Sequence, residues 1–314
     1  MPDLLQIGGA TDEMTARVSE KFAIHKASDQ ADLAEWLTEH GDKITHVLTN
    51  GHDGVKPDIM AGLTNLKMIS CYGVGYDNID ANEAVRRGIM VTHTPNVLNE
   101  EVATTAVLLM LACYRELLRD DEWVRSGNWE TKGNSPLTRS ADDRTVGILG
   151  MGRIGQAIAA KLAPWNPTIL YHTRSEKDVP YQYVGNLVEM AEKSDVLIVI
   201  TPGGTATHNL VNADVINALG PTGTLINVAR GTVIDETAMI DALSEGRLGW
   251  AGLDVFEFEP KVPEALRNLK NVTLLPHVGS ATHETRAAMG RLTVDNLLSH
   301  LDDGTVISPV PECQ

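Results

Sequence analysis

The run Thr145-Val-Gly-Ile-Leu149 leads directly into Gly150-Met-Gly152-Arg153-Ile154-Gly155, and a helical pattern with Ile154, Ile158 and Leu162 on one face follows. No other feature of the chain constrains its fold so narrowly. A buried-strand pattern, a glycine turn and a helix, in that order, form the first βα unit of a dinucleotide-binding sheet. A GxGxxG run by itself is weak evidence; its place between a strand and a helix gives it weight. The glycines permit a tight turn and let the backbone approach a pyrophosphate, while the helix N-terminus supplies partial positive charge. Gly150, Gly152, Arg153, Ile154 and Gly155 are therefore expected to contact a cofactor.

The next strand bears on which dinucleotide is bound. An NAD site usually places Asp or Glu at its end, about 20 residues on, to bind the ribose 2′-hydroxyl. Here the strand reads Ile169-Leu-Tyr-His172-Thr-Arg174-Ser175, with His172 where the acid is expected and no acid before Glu176. A carboxylate would repel a 2′-phosphate, whereas Arg binds one in a charge-assisted fork. His172, Arg174 and Ser175 thus favour NADP, with NAD as the alternative should Arg174 be only a solvated loop charge. Thr201 and Pro202, in a loop with two glycines, and Thr207 just beyond it are further candidates for the cofactor site.

Around this unit, short β-rich runs alternate with helical stretches along the whole chain. Leu4–Ile7, Phe22–His25, Ile44–Thr49, Met68–Cys71 and Met90–Thr92 read as strands before the glycine turn. Thr145–Leu149, Thr168–His172, Val196–Ile200, Thr224–Val228, Gly252–Val255 and Val272–Leu275 read as strands from there on. Such alternation implies an α/β protein with two doubly wound parallel sheets. A long helix is expected over Glu100–Ser126, apolar at Val102, Ala106, Leu109, Cys113 and Leu117 and again at Leu108, Met110 and Leu111. A helix apolar nearly all round must be covered, which suggests a homodimer through this region. A closing helix is expected near Glu284–Leu301.

Composition excludes several classes. With 43% hydrophobic and 22% charged residues in 314, the chain is globular rather than disordered. A formal net charge of −16 repels polyphosphate backbones, so nucleic acid is a poor partner. Cys71, Cys113 and Cys313 are far apart and form no CxxC, which fits a reducing compartment and gives no zinc ribbon. The start, MPDLLQIGGATDEM, lacks the pattern of a signal peptide, and no apolar run is long enough to span a membrane. A cytoplasmic location is expected.

Three further segments carry chemistry. Arg230, in Asn227-Val-Ala-Arg-Gly231, follows a strand, where α/β sheets bind ligands, and its fork suits a carboxylate. Asp254 and Glu259 lie in Ala251-Gly-Leu-Asp-Val-Phe-Glu-Phe-Glu-Pro260, and His277 in Leu275-Pro-His-Val-Gly-Ser-Ala281. Taken singly, Arg230 could serve a structural ion pair, His277 a satisfied loop and Glu259 the surface. Their order behind a dinucleotide turn argues for a shared site. No metal-ligand cluster is evident.

Together with Tyr72-Gly-Val74-Gly75-Tyr76-Asp-Asn-Ile-Asp80 and Arg87-Gly-Ile-Met-Val-Thr-His-Thr-Pro95, these motifs resemble the D-isomer-specific 2-hydroxyacid dehydrogenase family over nearly the whole chain. The Arg174 pattern is most similar to its NADP-preferring glyoxylate and hydroxypyruvate reductases. The resemblance implies that His277 protonates the keto oxygen, that Glu259 hydrogen-bonds His277 and raises its pKa, and that Arg230 binds the substrate carboxylate. Backbone amides near Val74 and Gly75 would complete the carboxylate cradle, and Asp254 would orient the nicotinamide carboxamide. Trp129 is similar in position to an aromatic that reaches a neighbouring subunit's substrate site. Asn50, Gly51, His52 and Tyr76 are candidates for a side-chain pocket. The expected architecture is a Rossmann domain, residues 98–284, inserted into a flavodoxin-like substrate domain, residues 1–97 and 285–314, with the site in the cleft. Two other readings stay open: an NAD-dependent dehydrogenase of another 2-hydroxy acid, and a dinucleotide-sensing binding protein similar to the family's corepressors.

Overall fold

The structure, a computed structural model, describes residues 1–314 and divides into two compact units, Met1–Leu98 with Ala281–Gln314, and Asn99–Ser280. The second stretch of the first unit opens at Ala281, two residues before the closing helix, which begins at His283. The Thr282 side chain caps that helix by accepting from the Thr285 amide at 3.2 Å.

In the first unit, β1 (Asp3–Gln6), β2 (Ala23–Lys26), β3 (Ile44–Asn50), β4 (Met68–Tyr72) and β5 (Met90–Thr92) form a parallel sheet in the order β2-β1-β3-β4-β5. This is the flavodoxin-like order. β4 is buried along its whole length, as a strand covered on both faces must be. The helix His283–Asp303 packs on β4, where the Ser70 hydroxyl donates to the Thr293 carbonyl at 2.9 Å. At the helix's far end, His46 of β3 meets His300, Nε2 to Nδ1, at 3.1 Å. Burial, with His300 and Lys67 nearby, pushes the His46 pKa down to about 4. After the helix the chain runs back along β5, where the Val310 amide donates to the Val91 carbonyl at 3.0 Å.

In the second unit, β6 (Thr145–Leu149), β7 (Thr168–His172), β8 (Gln182–Tyr183), β9 (Val196–Val199), β10 (Thr224–Asn227), β11 (Trp250–Leu253) and β12 (Val272–Leu274) are all parallel. Their order is β12-β11-β10-β9-β6-β7-β8, so the winding reverses beside β6, at the glycine turn. β11 begins at Trp250, earlier than the expected Gly252, and β8 has no counterpart in the expected pattern.

The single helix expected over Glu100–Ser126 is instead two, Asn99–Tyr114 and Leu117–Arg125, with Glu116 left-handed at φ 43° between them. The Tyr114 carbonyl accepts from the Arg139 amide at 3.1 Å, and the Arg139 guanidinium lies 4.2 Å from the Tyr114 ring centroid. The first contact takes the Tyr114 carbonyl out of helical pairing, and the second packs the Arg139 side chain on the helix end. The first of the two helices packs on the helix Arg153–Leu162 and on β10 and β11. Its apolar sides are thus mostly covered within the unit, and only Leu108 of the expected stripe is well exposed on it. Apolar exposure lies mainly further on, at Leu117, Leu118, Val124, Trp129 and Leu137.

Candidate active site

Gly150 has φ +108°, and its amide donates to the His172 carbonyl at 3.0 Å, tying the turn to the end of β7. A Cβ on Gly155 would overlap the Gly150 carbonyl oxygen, so only glycine lets the helix start this close to the turn. The helix Arg153–Leu162 has Gly152 at its N-cap and no capping side chain, which leaves its first-turn amides available to an anion. These backbone features fit a dinucleotide pyrophosphate.

His172 Nδ1 is 2.8 Å from the Val184 carbonyl, and its ring stacks on Tyr183. That side chain is engaged by the protein itself. Arg174 and Ser175 follow it, both exposed. The Tyr171 hydroxyl accepts from the Lys177 amide at 2.9 Å and donates to the Lys177 carbonyl at 3.0 Å. The Tyr183 hydroxyl donates to the Thr173 carbonyl at 3.1 Å. Two tyrosines, neither apparent as functional from the sequence, thus stake down the loop that presents Arg174. In the loop after β9, the Thr207 hydroxyl donates to the Pro202 carbonyl at 2.7 Å, while Thr201 is half-buried at its start.

Three neighbouring strands each deliver one functional segment from their carboxyl ends: Arg230 after β10, Asp254 after β11 and His277 after β12. Buried Asn227 shapes the first turn: its Nδ2 donates to the Arg230 carbonyl and its Oδ1 accepts from the Ala229 amide, each at 3.0 Å. Arg230 Nη1 donates to the Ala229 carbonyl at 2.8 Å. A Cβ on Gly231 would overlap the backbone of Phe256 and Glu257, so the arginine turn lies against the segment leading to Glu259.

Asp254 is buried, and its two oxygens accept from the Val278 and Gly279 amides, each at 2.7 Å. Burial pushes its pKa up, and the two amide bonds oppose that rise. Both oxygens of Asp254 thus hold the His277 loop, and each keeps capacity for a further donor. Glu236, absent from the sequence reading, accepts from the Glu257 amide at 3.2 Å, and burial raises its pKa.

His277 has φ +54°, and its amide donates to the Asp254 carbonyl at 2.8 Å. Its Nδ1 lies 2.7 Å from Glu259 Oε2, and Glu259 Oε1 accepts from the Phe256 amide at 3.0 Å. A carboxylate can only accept, so Nδ1 carries the proton and Nε2 is left for a ligand. The His277 side chain is 44% exposed and that of Glu259 17%, an accessible imidazole backed by a more sheltered carboxylate.

In the first unit, Val74 and Gly75 lie half-buried in the loop after β4. Among the candidates for a side-chain pocket, Asn50 is committed to its own turn: Oδ1 accepts from the His52 and Asp53 amides at 2.9 and 2.8 Å. The Tyr76 hydroxyl donates to Glu312 Oε2 at 2.9 Å.

An imidazole backed by a carboxylate and an arginine, both beyond the carboxyl ends of the strands that also carry a dinucleotide cradle, are residue types suited to hydride exchange with a keto acid. That combination defines a nicotinamide-dependent dehydrogenase. Residues 107–279 match the NAD binding domain of the D-isomer specific 2-hydroxyacid dehydrogenases, and the chain belongs to that family. It is 45% identical over 294 residues to glyoxylate/hydroxypyruvate reductase A of Arabidopsis thaliana, covering 93% of this chain and 94% of the relative. It is 40% identical over 312 residues to the 2-ketogluconate reductase of Gluconobacter oxydans, covering 98% of each. The crystal structure of an NADPH-dependent glyoxylate/hydroxypyruvate reductase from Sinorhizobium meliloti, in complex with NADP and malonate, matches with a TM-score of 0.93 and 43% identity, covering 100% of this chain and 98% of that one. No helix is long and apolar enough to cross a membrane.

Proposed function

We propose that the protein reduces a small 2-keto acid, glyoxylate or hydroxypyruvate, to the D-2-hydroxy acid with NADPH. The observation that carries this reading is the 2.7 Å contact between His277 Nδ1 and Glu259, on a loop anchored by Asp254. NADPH, when bound, supplies the hydride. Glu259, accepting from Nδ1, stabilises the doubly protonated imidazolium of His277; as negative charge builds on the keto oxygen, the imidazolium donates its Nε2 proton to it and is left as the neutral Nδ1–H tautomer. Arg230 pairs with the substrate carboxylate, joined by the amides of Val74 and Gly75. In the oxidative direction the same imidazole accepts the proton.

NADPH is preferred over NADH because β7 ends without a carboxylate and Arg174 follows it, exposed, on a loop staked by Tyr171 and Tyr183. Similarity to the NADPH-dependent Sinorhizobium enzyme supports the same choice. The protein acts as a homodimer through the region of residues 117–137, whose exposed Leu117, Leu118, Val124, Trp129 and Leu137 form the main run of large apolar exposure. Its three cysteines lie far apart and form no CxxC, which suits the reducing cytoplasm.

Initial rates with NADPH and NADH on glyoxylate, hydroxypyruvate and pyruvate test the reading. Fast NADPH oxidation with either of the first two supports it. A preference for NADH overturns the cofactor choice and leaves the family intact. Turnover confined to bulky aromatic or branched keto acids overturns the substrate choice.

A further inference from the structure

The loop after β4 has two peptide planes held from one side. The Thr94 amide donates to the Gly73 carbonyl at 2.8 Å, and His93 Nδ1 lies 2.9 Å from the Val74 carbonyl. In a trans peptide the N–H points opposite to the C=O of the same plane, and the only cis bond in the chain is Glu259–Pro260. Anchoring the Gly73 carbonyl therefore turns the Val74 N–H away from the 93–94 segment. Anchoring the Val74 carbonyl does the same for the Gly75 N–H. Neither of these amides donates to another group of the protein.

The anchor on Gly75 is a side chain, and that side chain is itself confined. A carbonyl only accepts, so His93 must carry its proton on Nδ1. The Tyr76 ring meets the imidazole edge-on, 5.3 Å between centroids at 86°. The His93 amide donates to the Ser308 carbonyl at 3.2 Å, and its carbonyl accepts from the Ser308 hydroxyl at 2.7 Å. Ser308 is fixed in turn by buried Asn296, whose Oδ1 accepts from the Ile307 and Ser308 amides at 2.9 and 3.0 Å and whose Nδ2 donates to the Ser308 hydroxyl at 2.8 Å. A chain of contacts thus runs from the helix His283–Asp303 through Ser308 and His93 to the Gly75 peptide.

We infer that His93 is a positioning residue for the reaction, fixing the Gly75 amide in the orientation that receives the substrate carboxylate. The inference rests on the reading that the Val74 and Gly75 amides take that carboxylate. His93 does not touch substrate in this scheme; it prevents the Gly75 peptide from rotating and so spares the binding step an ordering cost.

The test compares His93→Leu, which removes the donor, with His93→Asn, whose amide nitrogen can stand near the place of Nδ1. Steady-state kinetics are measured with glyoxylate and NADPH, and malonate is titrated calorimetrically into the NADPH-saturated enzyme. His93→Leu is expected to raise both the glyoxylate KM and the malonate Kd about tenfold, the effect of one anion-directed hydrogen bond. The kcat and the NADPH KM stay near their starting values, and His93→Asn recovers most of the loss. Unchanged KM and Kd in His93→Leu overturn the inference. So does a loss of NADPH binding equal to the loss of malonate binding, or an Asn variant that folds to the same melting temperature yet fails to recover. If the unmodified enzyme reduces no 2-keto acid, the proposed reaction falls while the malonate titration still judges His93; if it also binds no malonate, both fall.

Discussion

The loop that carries His277 and the loop that carries Arg174 both follow parallel strands of one sheet, yet they are built in opposite ways. His277 is fixed by its own amide, by its Nδ1 contact with Glu259, and by the two amides beyond it that Asp254 holds. Arg174 stands exposed on a loop whose backbone, rather than its guanidinium, is restrained by Tyr171 and Tyr183. Proton transfer needs a donor placed before the reacting groups arrive. Selection of a phosphate needs only a charge within reach, which the ligand can order as it binds. On the proposed assignment, rigidity is concentrated at the reacting centre, and adaptability is left at the selecting edge.

The comparison can be broken at several points. Replacing His277 by Ala removes the donor itself, and kcat is expected to fall by roughly three orders of magnitude with the NADPH Kd little changed. Single-turnover and fluorescence-binding measurements separate the two; turnover close to normal would place the acid elsewhere. Asp254→Asn offers an N–H₂ to one of the two loop amides that now donate to a carboxylate. About a hundredfold loss in kcat is expected, together with a lowered melting temperature. An unchanged rate would mean that the loop does not need this anchor.

The selecting edge should respond more mildly and only to one cofactor. Arg174→Ala is expected to weaken NADPH about tenfold to fiftyfold and to leave NADH unaffected. Equal losses with both cofactors would remove the 2′-phosphate role. Tyr171→Phe loosens the loop without touching its charge, and about a threefold fall in the NADPH/NADH ratio of kcat/KM is expected. If this variant instead matched Arg174→Ala, the loop backbone rather than the guanidinium would hold the selectivity.

Much of this architecture is legible in the sequence where one rule acts alone. Thr145–Leu149 and Thr168–His172 are strands over the expected residues, because parallel strands covered on both faces read as continuous apolar runs. The break at Glu116 was not legible: Tyr114-Arg115-Glu116-Leu117 contains neither Gly nor Pro, and the helix ends because Arg139, distant in sequence, claims the Tyr114 carbonyl. β8 is two residues long and exists through its pairing with Leu170 and Tyr171, which no local pattern announces. Arg230, Glu259 and His277 stand out as residue types that chemistry requires after strands. His93, Asn227, Tyr171 and Tyr183 do not stand out, since each acts on a backbone carbonyl or amide whose place is known only once the chain has folded.

The first unit is assembled from two stretches of chain with the whole second unit between them. Its sheet is covered by a helix that enters only near the end, with Thr293 over Ser70 and His300 against His46. At ribosomal speeds the intervening residues take on the order of ten seconds or more to emerge. At the end of that interval β4 still has one face unroofed, while Asn99–Ser280 has every strand of its own sheet. The inserted unit can therefore condense first during synthesis, and the earliest-made residues must wait for the latest-made ones, an interval in which a chaperone or premature aggregation competes for the uncovered strand.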